Sequence, residues 1–174
     1  RLATGDRAGA AAAAERLLAP PGLPARERAQ ARAVLRELGH RPSPAEAGEV
    51  LGVVLEAGRE GAILFLAAYA DGEARAFWSP GGGAEAVVTD DSDVAHVAKL
   101  AVAAAAREAP RFAESSGDLP LPAEGWCRLT ILTPAGPRTA YEAELDLRLS
   151  THGLHPVHAA LQAVHAAMRV NAGG

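Results

Sequence analysis

The sequence predicts an α+β domain in which helices pack on one antiparallel sheet of about five to six strands. Three observations carry that prediction. Short apolar runs flanked by glycine, such as Val50 to Glu56 and Ile63 to Ala70, alternate with turn signals, as half-buried strands do. Two stretches, Ser92 to Glu108 and the segment from Pro156 onward, repeat apolar residues at helical spacing. The elements fall in the order αα, four strands, α, two strands, α, and strands joined by tight turns pair antiparallel.

The alanine-rich stretch from Gly5 to Ala19 has strong helix propensity, and Pro20-Pro21-Gly22 stops it. A second helix runs from Pro24 to Leu38, with Gly39 as its stop. Leu23, Ala31, Val34, Leu35 and Leu38 give this pair one apolar side. Residues 1–41 therefore read as an N-terminal helical hairpin, and 42–174 as the α+β domain. The hairpin has tetratricopeptide-like proportions, but only one is present where a solenoid stacks several, so it reads as a lid on the main core.

Ser43-Pro44-Ala45-Glu46 is a capping box opening a single helical turn. Asp71-Gly72 predicts a two-residue type I′ turn, beyond which Phe77 and Trp78 point to opposite faces of the strand Glu73 to Ser79. Pro80-Gly81-Gly82-Gly83 turns the chain into a further strand, Ala84 to Thr89. Asp90, Asp91 and Asp93 crowd the start of the next helix, whose buried face is expected to carry Val94, Val97, Leu100, Ala101, Ala104 and Ala105. Arg111 to Gly125 form one long connector. Trp126 to Leu132 then pairs with Arg138 to Leu149, where strict alternation predicts Tyr141, Ala143, Leu145, Leu147 and Leu149 buried and Glu142, Glu144, Asp146 and Arg148 wet. Pro156 opens a closing helix with Val157, Leu161, Val164 and Met168 on one stripe.

Length and charge bound what the domain does. At 174 residues the chain fits one core. A net charge of −4 with arginines scattered among glutamates offers no basic field for nucleic acid. Lys99 is the single lysine among 17 Lys and Arg, a bias expected of a high-GC bacterial genome. A lone cysteine, Cys127, and no run of 18 apolar residues make a cytoplasmic protein without membrane association the expectation. The chain opens on Arg1 instead of methionine, which allows it to be a piece of a longer protein.

Chemistry-bearing residues are few. His152, His155, His158 and His165 fall in one window, and the first three could converge at the helix start as a metal site. However, His158 and His165 are about 10 Å apart along a helix, and no Asp or Glu follows Asp146 to complete a set. Cys127 shares a strand phase with Leu129 and Ile131, where a thiol behaves as a small hydrophobe. No serine sits in a Gly-x-Ser-x-Gly elbow, and Gly81-Gly82-Gly83 lacks the Lys-Ser/Thr ending of a phosphate loop.

The element order resembles that of profilin-like small domains, including the roadblock type that dimerises through sheet or helix edges; the resemblance lies in element order alone. It implies a module that works by association. The expectation is a non-enzymatic protein-interaction or regulatory module, binding a second copy or a protein partner through an exposed sheet edge, the Phe77 or Trp78 face, or the helical hairpin, with no cofactor. The alternative is a small-ligand or metal-binding enzyme or sensor using the His152–His165 region.

Overall fold

The structure, a computed structural model, describes residues 6–79, 92–115 and 119–172. The glycine run at 81–83, the expected strand Ala84 to Thr89, and Asp90 and Asp91 lie outside the described residues.

Helix α1 (Arg7–Leu18) starts where the Asp6 carboxylate accepts the Gly9 N–H at 2.7 Å. Helix α2 (Ala25–Glu37) has Pro24 at its N-cap, which offers no side-chain acceptor. The missing acceptor comes from a distant turn, where the Asp71 carboxylate accepts the Ala25 N–H at 2.7 Å. The helix ends in a Schellman arrangement: Gly39 takes a φ of +93°, and the His40 N–H reaches back to the Leu35 carbonyl at 2.9 Å. Helix α3 (Pro44–Ala47) is the expected single turn, with both halves of the Ser43/Glu46 capping box formed.

Six strands, β1 (Gly52–Arg59), β2 (Ala62–Tyr69), β3 (Ala74–Ser79), β4 (Ala113–Glu114), β5 (Trp126–Thr133) and β6 (Gly136–Ala143), form one sheet in the order β3-β2-β1-β5-β6-β4. All neighbours pair antiparallel. Helices α4 (Asp93–Arg107) and α6 (His155–Ala172) pack on one face, with the short turn α5 (Glu144–Leu147) beside them. This inner core joins Val53, Leu55 and Ala57 of β1, Leu64, Leu66 and Ala68 of β2, and Cys127, Leu129 and Ile131 of β5 to both helices. Val157, Leu161, Val164 and Met168 of α6 are all buried, as their spacing predicts. On α4 the buried set is Val94, Ala95, Ala98, Ala101, Val102, Ala104 and Ala105; Val97 is only partly buried, and Leu100, expected inside, is exposed. Ser92 caps α4 by accepting the Ala95 N–H at 3.3 Å.

The hairpin α1–α2 packs on itself through Ala14, Ala31 and Leu35. It meets the outer face of the sheet through Ala25, against Ala67, Tyr69, Val54 and Leu132. Ion pairs Arg26–Glu73, Arg28–Glu49 and Arg32–Glu46 tie α2 to the body.

Two expectations are corrected. The alternation after Arg138 is not one strand: β6 ends at Ala143 and residues 144–147 form a helical turn. Tyr141, Leu145 and Leu149 are exposed, whereas Glu144 and Leu147 are buried. Pairing explains the first part, because Tyr141 lies opposite Arg128, on the face away from α4 and α6. Helical geometry explains the second, since Glu144 and Leu147, three apart, share one side of a turn. The turn after β2 differs as well. The Tyr69 N–H bonds the Glu73 carbonyl and the Gly72 N–H bonds the Tyr69 carbonyl, so the loop has three residues, Ala70 to Gly72, with Gly72 at φ +102°. The expected two-residue type I′ turn is therefore absent at Asp71-Gly72, whose aspartate caps α2.

Candidate functional site

Strand register assembles the site on the outer face of the sheet. Phe77 of β3 stands opposite Phe65 of β2, Phe65 opposite Glu56 of β1, Glu56 opposite Arg128 of β5, and Arg128 opposite Tyr141 of β6. Directly opposed residues share a face, so these five side chains form one row spanning about 19 Å across the sheet. Phe65 and Phe77 stack with ring centroids 4.6 Å apart, and Trp126, two residues before Arg128, stacks on Tyr141 at 5.2 Å. Both ring pairs lie nearly parallel.

Between the stacks lies a closed ion pair. Arg128 donates from Nε and Nη2 to the two Glu56 carboxylate oxygens at 2.5 and 2.7 Å, and from Nη1 to the Pro120 carbonyl at 2.8 Å. Both side chains are largely buried, and the hydrogen bonds that Arg128 donates to Glu56 raise the guanidinium pKa above its usual value.

The connector crosses this half of the row as a strap. The Ala123 N–H donates to the Tyr141 hydroxyl at 3.3 Å, and Glu124 bridges to Gly58. Gly58 is required under it: a Cβ there would sit 2.0 Å from the Ala123 carbonyl oxygen. Phe77 remains 47% exposed, Tyr141 47% and Trp126 42%. Trp78 projects to the opposite side of β3, 6.4 Å from the His165 ring, and is 40% exposed.

The histidines are held by separate partners. His152 lies 3.8 Å from the Glu142 carboxylate and accepts the Leu154 N–H at 3.2 Å. His155 Nδ1 is 3.0 Å from the Leu147 carbonyl. His158 is buried with Nε2 3.2 Å from the Gln162 amide nitrogen, and burial pushes its pKa down. Among the described residues no group of three or more His, Cys, Asp or Glu is placed to hold a metal ion. Cys127 is buried, and burial together with the Glu144 charge pushes its thiol up to about 11, so it stays protonated at neutral pH.

Glu144 has an unexpected role. It is buried and bound by Arg59 at both oxygens and by Arg148 at 2.9 Å. Burial opposes its ionisation, but the arginine hydrogen bonds outweigh that and hold its carboxyl below the usual value.

Of the interface residues expected from sequence, Phe77 falls in the row and Trp78 outside it. Sequence reading missed Phe65, Glu56, Arg128, Trp126 and Tyr141, because only the pairing of distant strands sets them side by side. The architecture defines an α+β domain with helices on both faces of an antiparallel sheet and a half-open aromatic row. No protein-family model, curated protein or solved structure matches the chain. No helix among the described residues is long and apolar enough to cross a membrane.

Proposed function

We propose that this chain is a non-enzymatic interaction module that associates with a second copy of itself through the outer face of its sheet. The observation that carries the reading is the register row, in which Phe77, Tyr141 and the adjoining Trp126 leave ring surface half open. Its charges are already satisfied: Arg128 is consumed by Glu56 and Pro120, so the row presents no free charge that would select a charged partner. A neutral, flat aromatic surface is complementary to its own copy across a two-fold axis, where each ring stack meets its equivalent. The composition supports a bacterial, cytoplasmic protein, with one buried thiol suited to a reducing compartment.

Sedimentation velocity across a concentration series tests the reading. A dimer is expected for the parent chain, and Phe77→Lys and Trp126→Lys are each expected to give a folded monomer with unchanged far-UV circular dichroism. A parent chain that stays monomeric at about 100 μM, or lysine variants that dimerise like the parent, would overturn it.

A further inference from the structure

At the end of the sheet remote from the Trp126/Tyr141 stack, a cleft of about 430 Å³ opens between the end of α2, α3, β4 and the β5–β6 turn. Two arginines line it, Arg36 from α2 and Arg138 from β6. Arg138 Nε is buried without a hydrogen-bond partner. Among the described residues the only other buried side-chain nitrogen or oxygen in that condition is Arg26 Nε, which lies 3.2 Å from the Glu73 carboxylate and so has its charge answered. Arg138 has no such neighbour, although Glu114 stands directly opposite it in the β4–β6 register and also lines the cleft. Both side chains line the cleft, and no ion pair joins them.

The second arginine is set by backbone. Thr133 Oγ1 donates to the Gly136 carbonyl at 2.7 Å and accepts the Gly136 N–H at 3.2 Å, closing the β5–β6 turn with Gly136 at φ +140°. A Cβ at Gly136 would stand 3.6 to 3.8 Å from Nε, Cδ and Cζ of Arg36, so that guanidinium lies against the turn at the cleft wall. Among the described residues neither guanidinium is paired with a carboxylate, and two such groups lining one concavity suit a planar or tetrahedral oxyanion.

We propose that this cleft binds a small oxyanion, a phosphate or carboxylate group, through Arg138 and Arg36. Arg138 contributes its guanidinium from β6, and Arg36 closes the site from the α2 side. Glu114 sits close enough to oppose the ligand's charge and so limits affinity.

The test is isothermal titration of the full chain with inorganic phosphate, and separately with citrate, in low-salt buffer. Saturable one-site binding of at least one probe is expected; phosphate alone assigns a phosphate ester, citrate alone a carboxylate. Arg138→Gln and Arg36→Gln are each expected to weaken binding by about tenfold or more, and Glu114→Gln to tighten it. If Arg138→Gln fails to fold, Arg138→Lys keeps the charge, loses the planar guanidinium, and is expected to bind more weakly than the parent. Absence of binding by both probes, or affinities unchanged in both arginine variants, would overturn the assignment.

Discussion

The two faces of the sheet solve different packing problems. The inner face meets α4 and α6 through small side chains, Ala57, Ala68, Ala74 and Ala76 on the strands and Ala98, Ala101 and Ala105 on α4, all buried. Small residues let helix and sheet approach closely, and that leaves little room for rings. The outer face takes the rings: of the chain's seven aromatic residues, Phe65, Tyr69, Phe77, Trp126 and Tyr141 stand there, while only Phe112 is fully buried in the inner core. An alanine-rich interior thus places its aromatic surface on the side where the helical hairpin packs on Ala67, Tyr69, Val54 and Leu132. The ion pairs follow the same division. Glu144 is tied by two arginines at the end of the inner layer, and Glu56 by one arginine within the outer row.

The largest expected effect separates buried from exposed positions in the segment after β6. Glu144→Lys strands Arg59 and Arg148 and is expected to cost about 3 to 5 kcal/mol in urea melts. Leu145→Asp, at a side chain 76% exposed, is expected to stay within about 0.5 kcal/mol. Equal losses at the two sites would mean that residue 145 faces inward after all.

Close backbone approach comes next, once on each face. A Cβ at Gly72 would lie 2.9 Å from the Ala95 Cβ of α4, at a positive φ that valine avoids. Gly72→Val is therefore expected to cost about 2 to 3 kcal/mol. Gly58→Ala, under the strap, is expected to cost about 2 kcal/mol and to raise proteolysis between 119 and 125, which Gly72→Val should leave unchanged. Limited proteolysis of both variants reads the difference.

Acid is expected to loosen the inner layer first. His158 has a folded pKa below its ordinary 6.5, so the unfolded chain takes up the proton first as pH falls. Stability contributed by the neutral ring is present above that value and is lost as pH drops through the lowered folded one. Glu144, held below its ordinary 4.5, acts in the same direction at lower pH: its contribution is present above 4.5 and lost as pH falls through its folded value. Melting temperature should therefore fall from pH 7 to 5 in the parent and fall less in His158→Gln. Parallel profiles would show that His158 is not the titrating group.

The smallest expected change in stability lies on the outer row. Phe77→Lys removes a ring already half in water and is expected to cost about 0.5 to 1 kcal/mol of stability, while abolishing the self-association proposed above. A loss above about 3 kcal/mol would show Phe77 to be core and remove it from the proposed interface.

The sequence by itself determined the class of fold, the sites of the helices other than α5 and the identity of the inner stripe on α6. These are local properties: periodicity over a few turns, a Ser43/Glu46 box, a glycine after Leu38, proline at a first turn. It also placed Cys127 in the core, because alternation over Cys127, Leu129 and Ile131 holds throughout β5. It failed after Ala143, where period two continued in the letters while the backbone changed to a helical turn. Apolar Leu145 and Leu149 could then face water, and charged Glu144 could be buried, because the partners that decide the matter, Arg59 above all, are contributed by another strand 85 residues away. The aromatic row and the arginine cleft were beyond sequence reading for the same reason. Each is made by the register of strands far apart in the chain, and register across a sheet is a tertiary quantity, fixed only when every strand has found its neighbour.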